Sequence, residues 1–181
     1  MTMYDRGVSG MRMKISQWVI DVDVEATRAF YADAPELPVP CDCAGCRNFH
    51  RAIGRMPLGA AAMLCAMGAD PVNPAEQWVY GPQDGGRTLL YGAFWHLRGR
   101  IVSGPRGQAC SGEADGVRYS IGTQCALVPD GFPTPVLQLE MTMTLPWVLE
   151  EENSYEHLRR NRGAGSSAAG TGTTGAAGCV M

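Results

Sequence analysis

The sequence predicts an α+β domain: a four- to five-stranded, mainly antiparallel sheet with two or three helices packed on one face. Three observations carry this expectation. Helical caps and helical spacing cluster between residues 23 and 68, apolar alternation of period two dominates from residue 75 to 145, and an Asp84-Gly85 pair joins two of the alternating runs.

In chain order, "MTMYDRGVSG" precedes Met11 and Met13 and is read as a frayed extension over 1–10. "MKISQWVIDV" is rich in β-branched and aromatic residues and reads as a strand. Asp23 then offers a carboxylate to cap a helix that holds Glu25 in its first turn and stops at Pro35. "PELPVP" has three prolines, each without an amide donor, so the chain enters the next segment extended. From Gly45 the pattern turns helical, with Phe49, Ile53 and Met56 four and three apart. Pro57 separates this helix from an alanine-rich one closed by Gly68.

The strands follow. "AEQWVYG" and "RTLLYGAFWHLRGRIV" flank the Asp84-Gly85 turn, where glycine accepts the positive φ of a tight hairpin. In the second of them Leu89, Tyr91, Ala93, Trp95, Leu97 and Ile101 form an apolar face, whereas His96, Arg98 and Arg100 share the opposite, solvated one. "SGPRGQACSGEADG" reads as a glycine-rich loop leading to "VRYSIGTQCALVP", whose Cys125 falls on the core side. In "VLQLEMTMTL" apolar and polar residues alternate without a break. "PWVLEEENSYEHLRRNR" is compatible with one short polar helix, and its run Glu150, Glu151, Glu152 reads as a solvated charge cluster. The last stretch, 161–181, is a Gly/Ala/Ser/Thr tail with no aromatic residue, and it is expected to be disordered. A chain of 181 residues therefore resolves into one domain over 11–160 with two tails.

Composition narrows the function classes. Apolar residues make up 45%, charged residues 18%, and the net charge is -3, so no basic excess favours nucleic acid. No apolar run has the length of a membrane span, and the N-terminus lacks the apolar core of a secretion signal, which points to a cytoplasmic protein. Seven cysteines cannot all pair, and a reducing compartment favours metal ligation or burial over bridging.

"VPCDCAGCRNFH" concentrates the chemistry. Cys41, Cys43, Cys46 and His50 form a Cys3His set, the donor types that tetrahedral zinc prefers. If a helix starts near Gly45, Cys46 and His50 sit one turn apart, and the helix N-terminus stabilises nearby thiolates. Cys-x-Cys is tighter than the usual two-residue gap, so one ligand of the four can point away; His96, Cys65 or Cys110 could then substitute. Packed thiols without metal, and redox or nucleophilic chemistry at Cys46, stay open beside zinc. Cys65 lies in an apolar helix and reads as a buried packing residue, as does Cys125. His96 beside Arg98 and Arg100 would be held neutral, and with no serine nucleophile elbow in the chain no catalytic residue is assigned. Arg47 and Asn48 read as solvated polar residues.

"CDCAGCRNFH", "YGAFWHLRG" and "LQLEMTMTLPWVLEEE" together resemble a family of small bacterial proteins with a CxCxxCRN motif, some of them from mobile elements, across most of residues 13 to 152. The resemblance implies a bacterial, cytoplasmic single domain and brings no established activity, so it assigns no catalytic residue. The leading expectation is a non-enzymatic interaction module for a protein partner, with a structural zinc at the cysteine loop. A small metal- or thiol-dependent enzyme using Cys41, Cys43 and Cys46, or an immunity or antagonist protein of mobile elements, are the alternatives.

Overall fold

The computed structural model describes residues 10–33, 41–105 and 109–155. The expected extension over 1–10 (Gly10 apart), the proline-rich lead-in of 34–40 and the tail of 161–181 lie outside them. The elements are β1 (Gly10–Ile15), β2 (Trp18–Asp23), α1 (Val24–Asp33), α2 (Ala44–Ala52), α3 (Leu58–Ala66), β3 (Glu76–Gln83), β4 (Thr88–Ser103), β5 (Cys110–Ala114), β6 (Val117–Gly122) and β7 (Val136–Pro146). All pairings are antiparallel, in the order β1-β2-β4-β7-β6-β5 with β3 also on β4. Among the described residues the sheet thus has seven strands, more than the four or five expected. No helix among the described residues is long and apolar enough to cross a membrane.

Two hairpins account for the excess. "MKISQWVIDV" is not one strand: the chain reverses at Ser16, which adopts φ +53, and β1 pairs back on β2. The glycine-rich loop contains β5, turned onto β6 by Asp115-Gly116 with φ +53 and +79.

β4 organises the sheet. Its odd residues address β7, as the Gly99 amide does to the Pro135 carbonyl, and its even residues address the other edge, where the Phe94 carbonyl accepts from Ala75. That second edge is shared: β3 covers Thr88 to Phe94 and β2 covers Gly99 to Ser103. The gap leaves the backbone groups of His96 and Arg98 without a strand, and buried amides require partners. Helix α1 supplies them. The Tyr31 hydroxyl accepts from the His96 amide at 3.0 Å and donates to the His96 carbonyl at 3.2 Å. Thr27 Oγ1 accepts from the Arg98 amide at 3.0 Å and donates to the Asp23 carbonyl at 2.8 Å. Asp23 caps the helix as expected, accepting from the Ala26 amide at 3.0 Å. At the other side of α1, Gly68 has φ +86, and a Cβ there would lie 2.4 Å from the Val24 carbonyl oxygen, so only glycine lets the end of α3 come this close.

Tyr31→Phe is expected to leave both His96 backbone groups unsatisfied and to lower unfolding stability by about 2 kcal/mol. A denaturation midpoint equal to that of the wild-type chain would show that α1 does not seal the gap.

The core lies on the odd face of β4. Leu89, Tyr91, Ala93, Trp95 and Leu97 are buried together with Leu137, Leu139, Met141, Met143 and Leu145 of β7. Phe49 of α2 meets Tyr91 edge-on with ring centroids 5.3 Å apart, and Trp95 Nε1 donates to the Asp70 carbonyl beyond α3.

The opposite face is solvated in part: Arg118 and Thr144 are exposed on it, and so is Arg100, which shares Asp21 with Arg12 across three strands. His96, expected on that wet face, is buried, and so is Phe94 two residues before it. Phe132 covers His96 with centroids 5.6 Å apart, and Phe30 of α1 backs Phe132 at 4.6 Å. His96 Nε2 lies 2.8 Å from the Ala126 carbonyl and must carry the ring proton, since a carbonyl only accepts. Nδ1 is buried and has no hydrogen-bond partner among the described residues. Burial, rather than Arg98 and Arg100, holds the His96 pKa below the ordinary value.

As pH falls past about 6.5, the unfolded chain takes up the histidine proton before the folded one does, so stability declines by up to about 1.4 kcal/mol per pH unit until the lower folded pKa is reached. Above that window the contribution is flat. The difference between the stability profiles of wild type and His96→Gln isolates this group; parallel profiles on the acid side would contradict its burial in the neutral form.

Candidate metal centre

Helix α2 starts immediately after Cys43, which is its N-cap with φ -71 and ψ 156. The Cys43 carbonyl accepts from the Arg47 amide at 3.0 Å, and its side chain makes no capping bond. Cys46 is the third residue of the helix. Side chains at the N-cap and third positions converge at a helix start, which is the geometry a capping box uses. Here both are thiols, and Cys41 joins them from the residues just before. The three sulfurs all lie within 4.8 Å of one another.

This triad is graded from solvent inwards: Cys41 is exposed, Cys43 half-buried and Cys46 buried. It is close enough to hold a metal ion. Tetrahedral zinc with bonds of about 2.3 Å sets its sulfurs roughly 3.8 Å apart, so a small inward movement of side chains closes the site.

His50 is placed elsewhere. It lies in the last turn of α2, exposed, with its ring edge-on to Phe49 at 6.0 Å, and it is not a member of the triad. The one-turn spacing from Cys46 is present, but Cys46 leans back towards the start of the helix while His50 faces solvent. The alternative ligands are not members either. His96 is bound to Ala126, Cys110 is buried in β5 with its thiol pKa pushed up by burial, and Cys65 is exposed. Cys65 is therefore not the core residue its apolar helix suggests. Cys125 is not on a strand: it sits in the loop after β6, its thiol 3.6 Å from the Thr123 and Val136 carbonyls, with burial raising its pKa.

The helix that carries the triad is anchored by Asn48, which is buried rather than solvated. Its Nδ2 donates to the Tyr91 hydroxyl and the Pro146 carbonyl, both at 3.0 Å, and its Oδ1 accepts from the Val148 amide at 2.7 Å. Tyr91 in turn donates to the Gly45 carbonyl at 3.1 Å, inside the cysteine turn. Burial drives the Tyr91 pKa far up, and the nearby ionisable groups of Tyr155, Cys46 and Cys43 push it the same way.

Residues 147–155 fold over this helix as an irregular arm, so the polar helix expected after Pro146 is not formed as far as Tyr155. Side chains have taken the backbone groups that a helix would use. Trp147 Nε1 donates to the Glu151 carbonyl at 2.9 Å, Asn153 Nδ2 to the Gly86 carbonyl at 2.6 Å, and the Tyr155 amide to Asn153 Oδ1 at 3.0 Å. Arg47 links helix and arm, donating to Glu151 at 2.5 Å and also to the Asp42 carbonyl. Both ends of the Arg47–Glu151 pair are partly exposed, so it orients the loop more than it stabilises the fold.

Asn48 and Glu151, both read from the sequence as solvated, and Tyr155 thus belong to the contacts that hold the helix and the arm. Asn48 had a signal: an asparagine inside a helix is unfavourable unless its amide is put to use, and this one adjoins buried Phe49. Glu151 and Tyr155 had none, because their partners lie far away along the chain. The triad itself was in plain view. No protein-family model, no curated protein and no solved structure matches this chain, so the assignment of the centre stands on its geometry.

Proposed function

We propose that the protein is a non-enzymatic interaction module whose Cys41, Cys43 and Cys46 hold one thiophilic divalent ion, zinc in first place. The observation that carries this reading is the convergence of three sulfurs within 4.8 Å at the start of one helix. Thiolates select zinc and softer ions over magnesium or calcium. The ion would tie the loop before α2 to a helix already fixed to the sheet by Asn48, which is what a structural site does. A cytoplasmic setting suits it, because reduced thiols persist there. With a net charge of -3 the partner is read as a protein rather than nucleic acid.

Support for a non-catalytic role comes from His96, whose proton is committed to Ala126 on the far face of the sheet. Elemental analysis of the purified protein tests the proposal: one zinc per chain is expected, lost in Cys46→Ser. Metal-free protein that takes up no zinc when titrated would refute it.

A further inference from the structure

We propose that Tyr155 supplies the fourth donor to the metal held by Cys41, Cys43 and Cys46, giving a Cys3Tyr centre; this rests on the reading of the triad as a metal site. Tetrahedral zinc requires one donor beyond three thiolates, and no carboxylate, imidazole or further thiol among the described residues belongs to the group. An oxygen donor is nevertheless placed at the same turn. The Tyr155 hydroxyl lies over Gly45, which with Ala44 separates Cys43 from Cys46: a Cβ built on Gly45 would be 2.6 Å from that oxygen and 2.8 Å from a Val79 methyl. Any larger residue at position 45 would have to displace the phenol and the Val79 methyl. Glycine here therefore serves the approach of Tyr155, not a strained backbone.

The phenol is also delivered by a built support. The Tyr155 amide is bound to Asn153, and buried Asn153 is bound to Gly86 at the β3–β4 turn. The arm is pinned a second time by Glu151 on Arg47, the residue after Cys46.

Ligation has a defined proton balance. The phenol O–H breaks, a metal–oxygen bond forms and the proton leaves to solvent, in addition to those released by the thiols. The arm would then be drawn onto the loop by the metal, coupling occupancy of the centre to the position of the chain beyond β7.

The test is zinc titration of the full chain, followed by competition affinity, proton release and the ultraviolet band of ionised tyrosine at neutral pH. In the wild-type chain zinc is expected to produce the tyrosinate band. Tyr155→Phe is expected to abolish the band, release one proton fewer per zinc and bind about 10- to 100-fold more weakly. Gly45→Ala, which displaces the phenol and keeps all three thiols, is expected to lose the band as well. Wild-type affinity and proton release in Tyr155→Phe would overturn the proposal while leaving the triad intact. Zinc binding unaffected by Cys46→Ser, or no binding by wild type, would instead remove the triad and with it the fourth donor.

Discussion

Loading the protein with zinc at about a hundredfold over its dissociation constant is expected to raise the unfolding free energy by about 2.7 kcal/mol. For a chain of 181 residues this corresponds to a rise in Tm of roughly 5–10 °C, reversed by a chelator. The gain arises because the three sulfurs are brought together only in the folded chain, where α2 sets Cys43 and Cys46 at its start. Cys46→Ser is expected to erase the zinc-dependent shift, as it removes the buried member of the triad. Cys65→Ser, altering an exposed thiol on another helix, is the control and should retain the shift in full. A melting temperature insensitive to zinc in the wild-type chain would mean that the thiols are merely neighbours.

Asn48→Ala is expected to be the most damaging single change in the helix that carries the site, lowering stability by about 3 kcal/mol or more. Its amide joins α2 to three separate elements: Tyr91 on β4, the Pro146 carbonyl at the end of β7 and the Val148 amide in the arm. Truncation leaves two buried or half-buried backbone groups and a phenol short of partners, and each costs about 1–3 kcal/mol. Because Tyr91 also holds the Gly45 carbonyl, the cysteine turn loosens, and zinc affinity should fall together with stability. Asn48→Asp retains the acceptor for Val148 and loses both donated bonds, so it should lie between. Equal denaturation midpoints for wild type and Asn48→Ala would show that α2 is held by its apolar face alone.

The contrast between Asn48 and the triad shows what a linear reading can reach. Alternation over 136–145 and 89–97 is a local property, and the structure buries those odd positions on one face. The cap at Asp23 and the closure of α3 by Gly68 are local too. The cysteines sit within six positions, so their convergence needed only a helix start in the right place. By contrast, the fit of α1 into the gap beside His96 depends on two strands ending short along one edge of β4, which no window of sequence displays. The same holds for His96: its neighbours Arg98 and Arg100 are polar, but Phe132 arrives from a loop more than thirty residues on and buries it. Of the two missed hairpins, Asp115-Gly116 carried the same signature as Asp84-Gly85 and was obscured by its glycine-rich surroundings. The turn at Ser16 has no glycine and left no such mark.

The most direct test of the metal centre is X-ray absorption at the zinc edge of the loaded full-length protein. Three sulfur neighbours at about 2.3 Å and one lighter donor are the expected first shell. A shell of nitrogen and oxygen alone, or one with fewer than three sulfurs, would contradict the Cys41, Cys43 and Cys46 centre.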